Sequence, residues 1–90
     1  MKWKIILSDI RVMLEVMKLT GLKPGEQGRI KNFENSDLEI KLMEMGCLPG
    51  EVIIMEQVAP LGGPVSIRVS GYLLSLRRTE ADQVIVENLK

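Results

Sequence analysis

Glycine and proline punctuate this chain at intervals too short for a long helix. Pro24-Gly25, Gly28, Gly46, Pro49-Gly50, the Pro60 to Pro64 loop and Gly71 leave only short runs between them. Those runs are rich in valine and isoleucine. In the clearest of them Val65, Ile67 and Val69 alternate with Ser66, Arg68 and Ser70, the period of a strand with one buried face. Strands are predicted over Gly28 to Phe33, Val52 to Val58, Val65 to Val69, Tyr72 to Leu76 and Gln83 to Glu87. Leu22-Lys23-Pro24-Gly25-Glu26 and Leu48-Pro49-Gly50-Glu51 share turn chemistry and read as two similar strand entries, with no repeated unit around them.

One segment carries the helical period. Leu38, Leu42 and Met45 form an apolar stripe, with Lys41 and Glu44 outside it. Ser36 and Glu39 have the spacing of a capping box, and Gly46 is placed to end the helix with positive φ. Thr79-Glu80-Ala81-Asp82 reads as one helical turn before the last strand. Five short strands with one helix point to a mainly β fold, a small five-stranded SH3-like barrel with one short α-helix; closing the sheet limits its exposed edges. The one-turn helix before the final strand favours the SH3-like arrangement over an OB-fold.

The amino terminus reads differently. Lys2 and Lys4 before Ile5-Ile6-Leu7 resemble the start of a signal peptide, but Ser8-Asp9 end the apolar run. Ile6, Ile10, Met13, Leu14 and Met17 recur at helical spacing, which predicts an amphipathic helix from about Ser8 to Met17; the isoleucine and valine there leave a strand open. Residues 1–17 are expected to be an N-terminal extension and 18–90 the barrel domain. The extension either packs on the domain or docks a partner or a second copy.

Counting residues narrows the functions. Ninety residues give one domain, and 12 basic residues cancel 12 acidic ones, so no net field draws the chain to nucleic acid or anionic lipid. Histidine is absent, which removes the commonest general base and the commonest transition-metal ligand. The single cysteine, Cys47, excludes an intrachain disulfide and a cysteine cage for zinc, and reads as a small buried hydrophobe. No phosphate-cradling loop is present and the serines lack a histidine partner, so neither an enzyme nor a resident cofactor or metal site is expected.

The ordered set of turn residues resembles the FeoA family, the small accessory proteins of bacterial ferrous-iron transport. The resemblance runs from about Leu19 to Val86. It rests on Leu22-x-x-Gly25-x-x-Gly28-x-Ile30, Leu38, Lys41-Leu42-x-x-Met45-Gly46, Pro49-Gly50, Pro60-x-Gly62-x-Pro64, Val69-x-Gly71, Leu74-x-Leu76-Arg77 and Glu80-Ala81. The chain departs from the family pattern with Cys47 after Met-Gly, with Gly63 where aspartate is usual, and with Lys41 where arginine is frequent. The first 16 residues have no counterpart in that pattern, and are expected to be an alternative-start extension or an added helix. The resemblance implies a cytoplasmic module that docks on FeoB, a membrane permease with a cytosolic G-protein domain, and so sits at the inner face of the membrane without inserting in it. A homo-oligomer through the extension is a further expectation.

Small barrels bind peptides in grooves between loops. The candidate partner surface is therefore the loop of Pro60, Leu61, Gly62, Gly63 and Pro64, the corner of Met45, Gly46, Cys47 and Leu48, and the strand bearing Leu74. The competing reading makes Met45, Leu48 and Leu74 core and the loop a connector. Arg77, with Arg78 and Arg68 on an adjacent strand, is the basic concentration; it reads either as an arginine offered in trans to a GTP-hydrolysing partner or as a solvated strand end paired with Glu80 or Asp82. Two other function classes fit an SH3-like barrel. One is the regulatory module at the C-terminus of iron-dependent repressors, which would need a DNA-binding domain that 16 residues cannot supply. The other is an RNA-binding barrel, which zero net charge and only Phe33 and Tyr72 as stacking platforms disfavour.

Overall fold

The computed structural model describes residues 16–89. Six strands make one antiparallel sheet: β1 (Val16–Lys18), β2 (Gln27–Phe33), β3 (Val52–Val58), β4 (Val65–Val69), β5 (Tyr72–Leu76) and β6 (Val84–Asn88). Their order is β1-β6-β2-β3-β4-β5. A 3-10 turn at Leu19–Gly21 follows β1, helix α1 (Ser36–Glu44) links β2 to β3, and a one-turn helix α2 (Arg78–Ala81) precedes β6.

The pairing register shifts between Ile30 and Asn32 in β2 and between Met55 and Gln57 in β3. Such bulges bend a strand and deepen its twist. They curl the sheet around a single core: Ile30, Ile53, Met55, Val65, Ile67, Val69, Leu76, Val84 and Val86 from the strands, with Leu42 and Cys47 from the α1 region laid over them. In β4 the predicted alternation is complete, with Val65, Ile67 and Val69 buried. Both Leu-Pro-Gly-type turns do open strands, and they meet across the β2–β3 pair. Gly25 N–H donates to Met55 O, and Gly50 N–H donates to Ile30 O. Gly28 is a strand glycine for lack of space: a Cβ there would lie 3.0 Å from Leu22 Cδ1 and 3.2 Å from Val86 Cβ, both core residues.

Two local expectations are corrected. The sheet has six strands rather than five, because Val16–Lys18, expected to end a helix, pairs antiparallel with β6 (Met17 opposite Val86) and covers that strand's outer edge. A three-residue strand is too short to show its period, so the pairing with β6 decides. The rest of the predicted Ser8 to Met17 helix lies outside the described residues. Helix α1 is capped by Asn35, whose side chain accepts from Asp37 N–H at 2.8 Å, and Ser36 is already the first helical residue.

Ile67 is fully buried at the centre of β4. Replacing it with alanine is expected to cost about 2–5 kcal/mol, read as a lower urea midpoint with an unchanged denaturant slope.

Candidate functional site

The two helices meet at a buried carboxylate. Glu80 is 7% exposed. Its Oε1 accepts from Arg77 N–H at 2.9 Å, capping α2, and its Oε2 lies 2.7 Å from Lys41 Nζ on α1. The hydrogen bond from Lys41, then the one from Arg77, hold the carboxyl below its ordinary value of 4.5. Beside α2, Thr20 Oγ1 donates to Asp82 Oδ1 at 2.7 Å, fastening the 3-10 turn after β1 to the same point.

The carboxyl end of α1 is fixed as tightly. Gly46 N–H donates to Met43 O and Cys47 N–H to Leu42 O, a Schellman closure with Gly46 at φ 106. Tyr72 Oη donates to Met45 O at 2.6 Å, and that hydroxyl occupies the space where a Cβ on Gly46 would stand. Cys47 is fully buried, and burial, with Glu80 nearby, pushes its thiol up to about 11. At neutral pH the thiol is protonated and packs as a small hydrophobe. Among the described residues no three or more aspartate, glutamate, cysteine or histidine side chains group together to hold a metal ion.

At the β3–β4 hairpin the chain turns within Pro60 to Gly63, where Gly63 N–H donates to Pro60 O at 3.1 Å. Both central residues have positive φ, 59 for Leu61 and 74 for Gly62, the signature of a type I′ turn. The β4–β5 hairpin uses the same device at Ser70 (φ 52) and Gly71 (φ 83). A leucine held left-handed costs about 1–2 kcal/mol, and its side chain gains nothing within the fold, being 104% exposed. Arg78 fixes the loop from α2. Its Nε donates to Gly63 O at 3.2 Å and its terminal nitrogen to Ala59 O at 3.1 Å.

These contacts divide the candidate surface in two. Val65 lies opposite Leu76 and Val69 opposite Tyr72. The Pro60 to Pro64 loop, Arg77 and Arg78 therefore gather at one end of the β4–β5 pair, and Met45, Gly46 and Leu48 gather with Tyr72 at the other. Cys47 is closed off beneath the second group, and Leu74 is half-buried against the core between them. Arg68, opposite Leu73, lies away from Arg77 and pairs with Glu56 at 2.9 Å, so the arginines do not form one patch. Glu80 and Asp82, expected as partners for an arginine side chain, are taken by Lys41 with a backbone N–H, and by Thr20. Arg77 keeps an exposed side chain.

A family model, the FeoA domain, matches residues 17–88. The chain belongs to the FeoA family. Over 72 residues this FeoA-family chain is 39% identical to an Fe(2+) transport protein A/Fe(2+) transporter FeoB fusion protein of Porphyromonas gingivalis, a match covering 79% of this chain and 8% of that protein. Iron(II) transport protein A of Clostridium thermocellum is 46% identical, with a TM-score of 0.75 over 81% of this chain and 46% of its own. FeoA of Stenotrophomonas maltophilia complexed with zinc, a prokaryotic SH3 domain protein, is 26% identical, with a TM-score of 0.68 over 79% of this chain and 89% of its own. The SH3-like architecture is thereby shown. A manganese-dependent transcriptional repressor superposes with a TM-score of 0.76 over 82% of this chain and 37% of its own, at 16% identity, a likeness of fold alone.

Three features of the FeoA-family site escaped the sequence reading: the Lys41–Glu80 pair, the Arg78 clamp and the left-handed Leu61. Of these, only the placement of Glu80 had a local signal: it stands three residues after the cap of α2, where a reach back to the cap N–H is common, while its pairing with Lys41 had none.

Replacing Glu80 with glutamine keeps an acceptor for Arg77 N–H and removes the charge facing Lys41, whose side chain is 57% exposed. Because that partner is solvated, the expected cost near pH 7 is only about 1–2 kcal/mol. The folded carboxyl titrates below 4.5, so its contribution is present above that pH and is lost as the pH falls through the folded value. Urea midpoints of the two proteins should therefore converge in acid, and a gap that stays constant would contradict this assignment.

Proposed function

We propose that this chain is an accessory module of ferrous-iron uptake that docks on a FeoB-type permease and modulates it through protein–protein contacts. The observation that carries this reading is the Porphyromonas gingivalis relative, in which a FeoA-like part and a FeoB transporter form one polypeptide. Joining two parts in one chain raises their effective concentration, a gain that matters when they work in contact. The chain spans 8% of that relative, so transport itself belongs to the remainder of that protein and is not assigned to this chain.

The chain's own chemistry agrees with a docking role. Glu80, the one buried charged residue among those described, is spent on internal ties. Among the described residues no helix is long and apolar enough to cross a membrane. We place the working surface at the end of the barrel that carries the Pro60 to Pro64 loop and Arg77.

The test is calorimetric titration of the full chain into the cytosolic part of a FeoB-type permease from the same cell, without nucleotide and with GDP or a GTP analogue. Saturable one-to-one binding in at least one state is expected. Absence of heat and of co-elution in every state would remove the reading.

A further inference from the structure

Leu61 is the most exposed large apolar residue among those described, at 104%, and it stands at a left-handed turn position. The two type I′ turns at either end of β4 make the contrast plain. At the β4–β5 end the first left-handed position holds serine, a small polar residue that suits a solvated turn. At the β3–β4 end the same position holds a branched aliphatic side chain, which the conformation disfavours and water disfavours again. Asparagine, aspartate or glycine would serve the turn better. Nothing in the fold uses the leucine: the core is closed below it, and Arg78 holds the loop by the Ala59 and Gly63 carbonyls without touching the tip.

Resting on the docking reading above, we propose that Leu61 is the anchor of that docking, a single aliphatic side chain inserted into a closed apolar pocket on a partner protein. A rigid tip suits this use, because little ordering remains to be done on binding. Two observations separate a protein pocket from a lipid surface. Pro60, Leu61, Gly62, Gly63 and Pro64 carry no charge and the guanidinium of Arg78 is committed to backbone carbonyls, so among the described residues this end presents Arg77 but no basic cluster to hold anionic headgroups. One leucine leaving water also favours binding by roughly ten- to a hundredfold at most. That is too little to hold a protein on a bilayer, and enough to anchor an interface whose remaining contacts surround it. Arg77, exposed at the base of the same end, fits an acidic or neutral rim around the pocket.

The test measures binding of the full chain to the FeoB-type permease in nanodiscs made of equal parts phosphatidylcholine and phosphatidylglycerol, beside empty nanodiscs of the same lipid. Leu61→Asn is expected to unfold at the wild-type temperature or above it, since asparagine tolerates the left-handed conformation. It should bind the permease at least about tenfold more weakly, while Leu61→Met keeps most of the affinity. A smaller loss for Leu61→Asn overturns the anchor and leaves docking standing. Leu61-dependent binding to empty nanodiscs overturns the protein pocket in favour of lipid. Failure of the wild-type chain to bind the permease overturns the docking reading, and the anchor with it.

Discussion

The carboxylate of Glu80 is the point on which both helices turn. It is buried, and a buried carboxylate is tolerated only when its oxygens are satisfied. Lys41 supplies one side and the Arg77 N–H the other. The first bond fixes where α1 lies over the sheet, and so presses Leu42 and Cys47 into the core. The second starts α2 directly after β5 and places Arg78 one residue on, within reach of the Ala59 and Gly63 carbonyls. A single charge thus sets the helix, the core above the sheet and, at one remove, the loop at the end of the barrel.

Strand β4 separates what that network organises. At one end, Tyr72 and the Schellman closure at Gly46 lock the helix terminus against β5, with the Tyr72 hydroxyl where a Cβ at position 46 would stand. That end is held for packing. At the other end the same turn geometry is held by an arginine clamp, yet it lifts a leucine fully into water. The two type I′ turns at the ends of β4 share their left-handed positions and differ in the side chain on the first of them, serine at one end and leucine at the other. The strain at Leu61 is sustained by a fold whose stability comes from elsewhere.

Much of this fold was legible because its information is local. The bounds of β3 and β4 follow from β-branched runs and their turns, β5 is set off by the break at Ser70-Gly71, and Gly46 ends α1 with the positive φ its position implied. Cys47 is the buried hydrophobe its surroundings suggested. What was not legible is long-range. Val16–Lys18 forms a strand because β6 has an edge to cover, and no feature of three residues announces that. Thr20 bonds Asp82 across 62 positions, and Lys41 on one helix bonds Glu80 on the other, with three strands between them in sequence. The candidate surface divides for the same reason: Met45, Leu48 and the Pro60 to Pro64 loop all carry binding-type residues, but the β4–β5 register sets them apart. Which end of a strand a loop occupies is a property of pairing, and composition carries none of it.

The central claim is that this FeoA-family chain meets its partner with the β3–β4 end of the barrel. Hydrogen exchange on the full chain, alone and saturated with the FeoB-type permease, tests it most directly. The account predicts added protection concentrated in residues 59–64 and the adjoining turn at Arg77, with the Met45 to Leu48 corner and Tyr72 unchanged. Protection centred on that corner, with residues 59–64 exchanging as in the free chain, would contradict it.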